Sequence, residues 1–325
     1  MTDLTNLAAL EAAAALVYSV VPPTPQYRWP LLSRRVGAEI WVKHENHTPI
    51  GAFKVRGGVV YLDDLRRSRP DVKGVVTATT GNHGQSIAYS ATALGLAATI
   101  VVPEGNNPGK NRAMRGFGAT LLEVGHDFQA AYEHAAALAE RENLHLVRSF
   151  HPLLVRGVAS YALELFRAVA DLDTIYVPVG LGSGICGVIA AREALALKTE
   201  IVGVVAERAP AFALSFGAGR PVPTNSAQTF ADGVACRDPQ AEAFAIIKTG
   251  AARVVTVSED EIAEAIRIYY TTTHNLAEGA GAAPLAALLK EKARYAGKRA
   301  GLILTGGNID MPLLAQILRG ETPAA

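Results

Sequence analysis

The sequence predicts an α/β fold: parallel sheets with helices on both faces. From residue 74 onward, short β-rich runs alternate with longer Ala- and Leu-rich segments of helical period, which is typical of parallel strands joined by crossover helices. Half of the 325 residues are hydrophobic, so the chain can bury a large core as two domains or one large domain. No linker rich in proline and serine marks a boundary.

The elements can be predicted in chain order. The Ala-rich run Ala8 to Leu16 predicts a short first helix. Strands are predicted by short runs rich in β-branched residues, at Gly74 to Ala78, Ala98 to Val102, Thr120 to Val124, His145 to Ser149, Thr174 to Val179, Ile201 to Ala206, Arg253 to Val257 and Gly301 to Leu304. Helices are predicted between them, at Gln85 to Leu94, Phe128 to Glu142, Val155 to Val169, Glu259 to Thr272 and Ala283 to Tyr295.

Composition excludes several classes of function. The 31 basic and 30 acidic residues nearly cancel, so neither nucleic acid nor another polyanion is an expected partner. No apolar run approaches the roughly 20 residues of a spanning helix, so no membrane role is expected. The two cysteines, Cys186 and Cys236, are too sparse for a disulfide framework, and Met1 to Leu4 has no basic cluster. A cytoplasmic protein is predicted.

No metal site is predicted. The segment His44 to His47 spaces its histidines by three residues rather than the four of the HExxH motif, and no third ligand is evident nearby.

The segment Gly51 to Gly58, GAFKVRGG, places Lys54 among small and apolar residues. A lysine shielded from water loses part of its preference for the ammonium form, and the neutral amine can attack an aldehyde. Lys54 is therefore a candidate Schiff-base residue, although many lysines on apolar segments merely extend their methylenes along the surface.

A glycine-rich turn, Gly180 to Gly187, follows a buried strand and precedes a helix. Glycines let the backbone approach a ligand closely, and the free N–H groups of a helix start favour an anion, so a phosphate site is predicted. The part GSGICG also matches the dinucleotide pattern, with Glu207 at the end of the next strand. Taken alone, the turn indicates an NAD-dependent oxidoreductase.

Two further segments favour a different ligand. The loop Thr79 to Gly84, TTGNHG, gathers hydroxyl, amide and imidazole groups at a helix start, which suits a carboxylate and a phenolate oxygen. Near the C-terminus, Thr305 ends an apolar strand before two glycines, where its hydroxyl can meet a flat ring edge-on.

Together these segments resemble the fold-type II pyridoxal-phosphate enzymes, the fold of the tryptophan synthase β subunit, and among them the serine/threonine dehydratase group that includes serine racemase. The resemblance extends from Pro23 to Asp310 and implies pyridoxal 5′-phosphate as cofactor. It also implies a large cofactor-binding domain of residues 1–66 and 152–325, with a small domain of residues 67–151 inserted in it.

The resemblance implies a role for each motif. Lys54 would bind the cofactor and act as catalytic base, with Thr80 as a second catalytic residue. The remaining cofactor contacts would come from Phe53, Asn82, Gly180, Leu181, Gly182, Ser183, Gly184 and Thr305. The substrate carboxylate would be received by Thr79, Thr80, Asn82 and His83.

The implied activity is a dehydratase, or ammonia-lyase, that converts a β-hydroxy-α-amino acid of the L-threonine or L-serine type to a 2-oxo acid and ammonia. An aromatic substrate of the 3-phenylserine type stays open, because Phe128, Phe212, Phe216 and Phe230 could line a wide pocket. The alternatives are a 3-hydroxyaspartate dehydratase, a serine racemase and a β-replacement enzyme of the cysteine synthase type. A homodimer is expected, with a small amino acid as the ligand.

Several positions depart from the group. Gly180 to Gly184 replaces four consecutive glycines and resembles in part the loops of the cysteine synthase branch, which is why β-replacement stays among the alternatives. Ala52 stands where a serine is usual, and Glu207 is followed by Ala211 and Ala213 where ion-binding relatives have an acidic ligand. Activation by a divalent ion at that place is not expected.

Overall fold

Two separate sheets organise the chain in the computed structural model, which describes residues 4–324. Residues 1–3, part of the segment Met1 to Leu4 considered above, lie outside the described range. The ten strands are β1 Gln26–Arg28, β2 Glu39–His44, β3 Gly74–Ala78, β4 Ala97–Val102, β5 Thr120–Glu123, β6 His145–Leu146, β7 Thr174–Pro178, β8 Glu200–Ala206, β9 Arg253–Val257 and β10 Arg299–Leu304.

The larger sheet has six strands in the order β1-β2-β10-β7-β8-β9. All neighbours are parallel except β1, which pairs with β2 in the antiparallel direction at one edge. Strand β10 therefore lies in the interior of the sheet, between β2 and β7. The carboxyl ends of parallel strands meet along one edge, which is where ligands bind in sheets of this kind.

The smaller sheet has four parallel strands in the order β5-β4-β3-β6. Its strands all come from residues 74–146, between the second and the third strand of the larger sheet in chain order. The domain limits at residues 67 and 152 stay a prediction.

Thirteen α-helices connect the strands within the described range. They are α1 Leu7–Tyr18, α2 Pro30–Val36, α3 Lys54–Ser68, α4 Asn82–Ala93, α5 Pro108–Gly116, α6 Phe128–Glu142, α7 Pro152–Ala168, α8 Ser183–Ala194, α9 Ala211–Ala218, α10 Ala241–Gly250, α11 Glu259–Thr273, α12 Gly279–Lys290 and α13 Met311–Leu318. Among these residues, none of the helices combines the length and the hydropathy needed to cross a bilayer.

Both faces of each sheet are covered, which confirms the predicted α/β class. In β7, Tyr176 belongs to one apolar cluster, while its neighbours Ile175 and Val177 belong to the cluster on the opposite face. In β3, Val75 and Val76 are divided in the same way between two clusters of the smaller sheet. Alternating side chains of a strand point to opposite faces, so helices must pack on both.

The predicted strands and the first helix are confirmed, most of them to within one or two residues, but α12 differs from its prediction. It begins at Gly279 rather than Ala283 and ends at Lys290, before a single 3₁₀ turn at Lys292–Arg294. The helix contains Pro284, and its four additional residues at the start bring Glu278 to the end of β10 at the edge of the larger sheet.

Candidate active site

The segment that contains Lys54 is fixed against the end of β10. The backbone N–H of Phe53 donates to the carbonyl of Thr305 at 3.0 Å, and the N–H of Gly307 donates to the carbonyl of Gly51 at 3.0 Å. Ala52 forms an isolated antiparallel bridge with Gly306 between these two bonds. Lys54 and Thr305, 251 positions apart, therefore share one small volume.

Lys54 is the first residue of α3 and is half-buried. Its Nζ lies 5.1 Å from the centroid of the Phe53 ring. Burial lowers the pKa of the Lys54 ammonium to about 8, although the nearby Glu278 carboxylate acts in the opposite direction. At a pKa of about 8, roughly a tenth of this amine is neutral at pH 7, and the neutral form is the one that a nucleophile or a base requires.

The glycine turn begins α8 beside the ring of Phe53, the residue before this lysine. Gly182 has a φ of +99°, which favours glycine, and a Cβ on Gly180 would lie 2.2 Å from the carbonyl oxygen of Gly233. A Cβ on Gly184 would lie 3.6 Å from the Phe53 ring, while Tyr161 Oη donates to the Gly184 carbonyl at 3.0 Å. Leu181 and Ser183 complete the turn. Its bare backbone and the helix start suit an anion next to the Phe53 ring.

Asn82 opens α4 and is held by two side chains beside the larger sheet, one just before α12 and one just after β10. Its Nδ2 donates to Glu278 Oε1 at 2.8 Å, and its Oδ1 accepts from Asn308 Nδ2 at 2.8 Å. One N–H of the carboxamide has no part in these two bonds. That hydrogen can be donated to a ligand oxygen in the site.

The other residues of this loop differ in accessibility. Thr80 is exposed, whereas Thr79 is buried and its hydroxyl oxygen accepts from the backbone N–H groups of Gly81 and Gly84. His83 is also buried, and within residues 4–324 its Nε2 has no hydrogen-bond partner. Burial and the Lys54 charge lower the pKa of His83 to about 3, so its ring is neutral at ordinary pH.

Three residues of the site were not predicted as functional. Glu278 and Asn308 fix Asn82, and Lys110 forms an ion pair with Asp232 beside the same loop. Glu278 and Asn308 both lie within the range of the family resemblance, Pro23 to Asp310, and that was the available signal. Lys110 lies in a polar stretch with no pattern of its own.

Several other predicted features lie elsewhere or are already paired. Glu207 is half-exposed and contacts Lys290 at 3.3 Å. Glu45 pairs with Arg56, and His44 accepts a hydrogen bond from Trp29.

The four phenylalanines considered for an aromatic pocket do not form one cluster. Phe128 is exposed on α6, and Phe212 is buried in the core against the glycine turn. Phe216 and Phe230 pack against two different apolar clusters.

The donor set fits pyridoxal phosphate. The structure provides a lysine with a lowered pKa, an aromatic face, a glycine cradle at a helix start, an amide with a spare N–H and a hydroxyl at Thr305. These match the aldehyde, ring, phosphate, ring oxygen and ring nitrogen of that cofactor.

Comparison with known proteins agrees with this fit. The family model described as "Pyridoxal-phosphate dependent enzyme" matches residues 17–306. The chain is 36% identical over 294 residues to an L-threonine ammonia-lyase of Geobacter sulfurreducens, covering 90% of this chain and 73% of that one. It is 33% identical over 313 residues to an L-threo-3-hydroxyaspartate ammonia-lyase of Saccharomyces cerevisiae, covering 95% of each.

Among solved structures, the processed form of threonine deaminase isoform 2 from Solanum lycopersicum superposes with a TM-score of 0.91 at 30% identity, covering 96% of this chain and 91% of that one. The family match includes the lysine, the loop of Asn82 and the glycine turn, and it removes the NAD interpretation of that turn. This chain therefore belongs to the family of pyridoxal-phosphate dependent enzymes.

Proposed function

We propose that this protein removes water from a β-hydroxy-α-amino acid, with L-threonine or L-serine as substrate, and releases a 2-oxo acid and ammonia. The names of the similar proteins support an ammonia-lyase, and they include both threonine and 3-hydroxyaspartate enzymes. The observation that carries the proposal is the pairing of a half-buried Lys54, whose pKa is about 8, with an Asn82 amide held in one orientation.

The residues would divide the chemistry between them. When bound, the cofactor supplies an aldehyde for the amino group and a ring that draws electrons from Cα. The Lys54 amine would act as the base that accepts the Cα proton at Nζ. The Gly180 to Gly184 turn would hold the phosphate, and the Phe53 side chain would supply an aromatic face for the cofactor ring.

The substrate carboxylate would be received at the start of α4. Neutral His83 can donate a hydrogen bond there, and exposed Thr80 can add its hydroxyl. Asn82 would contribute its backbone N–H at the helix start, because its one spare side-chain N–H serves the cofactor's ring oxygen. Thr79 contributes mainly by fixing the loop, since its oxygen already accepts two backbone N–H groups. Thr305 would place a hydroxyl rather than a carboxylate against the ring nitrogen, which favours rapid elimination over a long-lived carbanion.

A substrate panel tests the proposal. Purified, cofactor-loaded protein is incubated with serine, threonine, 3-hydroxyaspartate and 3-phenylserine in both stereochemical series, and 2-oxo acid and ammonia are quantified. We expect both products from an L-threonine or L-serine substrate without any added nucleophile. Product that forms only when sulfide is added would contradict the dehydratase and support β-replacement, and inversion without ammonia would support a racemase.

Substitution of Lys54 tests the residue assignment. We expect Lys54→Ala to abolish turnover and to remove the visible chromophore that borohydride traps on the wild-type protein, because the amine that binds the cofactor is lost. The matched control is Lys73→Ala, which removes an exposed lysine just before β3. A Lys54→Ala protein that keeps turnover and the trapped chromophore would refute the assignment.

Location and assembly follow from the same interpretation. Both cysteines are buried and free in the structure, which supports the predicted cytoplasmic location. The expected homodimer is supported by large apolar side chains left at the surface, among them Tyr270 and Met311. Light scattering on the purified protein measures the assembly directly.

A further inference from the structure

A buried glutamate at the site has no role in the chemistry described above. The side chain of Glu278 is 3% exposed and precedes α12, yet it makes no capping hydrogen bond to its own helix. Its Oε1 accepts from Asn82 Nδ2 instead. Burying a carboxylate costs free energy unless the carboxylate is paired. A glutamate at this place is therefore expected to have an interaction or a function that offsets the cost.

The backbone makes room for this carboxylate. A Cβ on Gly306 would lie 2.6 Å from Glu278 Oε1, so residue 306 must be glycine for the carboxylate to lie there. The N–H of Glu278 donates to the Gly306 carbonyl at 3.0 Å, which holds the start of α12 against the end of β10. The second oxygen, Oε2, is buried and has no hydrogen-bond partner within residues 4–324.

A chain of hydrogen bonds fixes which way the Asn82 amide faces. Asn308 Nδ2 donates to the carbonyl oxygen of Ile50 at 2.8 Å, and a carbonyl can only accept. Asn308 must therefore present Nδ2 to Asn82, and the Asn82 atom that meets it must be Oδ1. The Asn82 NH₂ group then faces Glu278, which accepts one of its two hydrogens.

Three charged side chains act on the Glu278 carboxylate. Burial, which has the largest effect, and Asp232 raise the pKa of Glu278, while Lys110 and Lys54 lower it, and the result is a pKa of about 7. Glu278 in turn favours the protonated form of Lys54. A change in charge at residue 278 is therefore felt at Lys54 Nζ.

We propose that Glu278 is a positioning residue: with Asn308 it holds the Asn82 amide so that one N–H remains for the cofactor's ring oxygen, and its charge favours the protonated nitrogen at Lys54. The proposal rests on the proposed function, because it needs the cofactor bound at Lys54. The two effects are separable, since Asn308 can influence the orientation of Asn82 without carrying a charge.

Two variants and one control test this. Glu278→Gln keeps an oxygen that can accept from Asn82 but removes the charge. Asn308→Ala removes the group that fixes Asn82. The control, Glu259→Gln, alters another buried glutamate, whose Oε1 is also without a partner in the described chain and whose Oε2 accepts from Thr229 and the backbone of Phe230. The measurements are the pH titration of the visible absorbance of the loaded proteins and the affinity of the cofactor-free proteins for pyridoxal phosphate.

For Glu278→Gln we expect the absorbance titration to move down by about one pH unit or more, because the protonated nitrogen loses a neighbouring negative charge. For Asn308→Ala we expect cofactor affinity to fall by about tenfold, the effect of one lost hydrogen bond. Glu259→Gln should match the wild type in both measurements.

The proposal is overturned if Glu278→Gln titrates as the wild type does, if Glu259→Gln shows the same shift, or if Asn308→Ala binds the cofactor unchanged. Should Glu278→Gln fail to fold, the affinity of Asn308→Ala decides the proposal. A wild-type protein that shows no visible absorbance with the cofactor would contradict the proposed function instead, so the two failures are distinguishable.

Discussion

Lys54 is held in surroundings that oppose its own charge. Its pKa falls from 10.5 to about 8, chiefly because burial disfavours the ammonium form. Below pH 8 the lysine is charged in both the folded and the unfolded chain, so folding carries the whole cost of burying the charge. Between pH 8 and 10.5 the folded protein binds fewer protons than the unfolded chain, and its stability rises with pH.

Replacing this lysine should therefore stabilise the cofactor-free protein. At about 1.4 kcal/mol per pKa unit, we expect Lys54→Met to raise the free energy of unfolding by about 3 kcal/mol at pH 7 and by only about 1 kcal/mol at pH 9.5. Urea denaturation of both proteins at the two pH values measures the difference. A gain that does not shrink at the higher pH would show that burial of the charge is not its cause.

Sequence motifs predicted the site residues that lie in short characteristic segments. They did not predict the residues that position those side chains, such as Glu278. Lys54 and Asn82 stand in compact segments whose residue types indicate their chemistry. A role for Glu278 is visible only in the fold, where the start of α12 places it next to Asn82, 196 positions away in the chain. A buried carboxylate is recognised by its partners and its burial, and neither can be read from the neighbouring residues.

Among the elements, the turn before α8 depends most on its glycines. A side chain on Gly180 would meet the backbone carbonyl of Gly233, which cannot move without displacing the loop before Val234. That loop also carries Asp232, the partner of Lys110.

We expect Gly180→Ala to reduce affinity for pyridoxal phosphate by at least about tenfold, because the turn must shift away from its anion-binding geometry. Fluorescence titration of the cofactor-free protein measures the change. The control is Gly217→Ala in α9, where a Cβ would have no atom within 4 Å. Alanine has a higher helix propensity than glycine, so this variant should be more stable than the wild type by up to about 1 kcal/mol. Unchanged affinity in Gly180→Ala would mean that the turn does not hold the phosphate.

The predicted elements show which strands can be identified from the hydrophobic pattern and which cannot. Strands β3, β7 and β9 are apolar runs and were predicted almost to the residue. Strand β2 was missed because it contains Glu39, Lys43 and His44, which interrupt the apolar pattern. Lys43 is nevertheless fully buried, since Glu164 on α7 neutralises it, and no local rule anticipates a partner 121 positions away.

At the scale of the whole molecule, one buried charge network joins distant parts of the chain. Arg56 on α3 donates to Glu45 after β2 at 2.7 Å and to Glu164 on α7 at 2.6 Å. It also donates to Thr24, which precedes β1. These contacts attach the helix that begins with Lys54 to the rest of the larger sheet.

We expect Arg56→Met to lower the free energy of unfolding by about 3–5 kcal/mol, because Glu45 would remain buried without its charged partner and Glu164 would keep only Lys43. The control is Arg35→Met, which breaks an exposed pair with Glu264 and should cost at most about 1 kcal/mol. Urea unfolding curves compare the two proteins. Equal losses in both would show that the buried network contributes no more than a surface pair.

The position of β10 determines when during synthesis the site can exist. This strand, Arg299–Leu304, is the last of the ten along the chain but lies inside the larger sheet, between β2 and β7. While the ribosome is still adding residues before 299, β2 and β7 have no strand between them, and the groups that follow β10, Thr305 and Asn308, have not been made. A nascent chain can therefore complete the smaller sheet early. It can complete the site only after Thr305 and Asn308 have emerged.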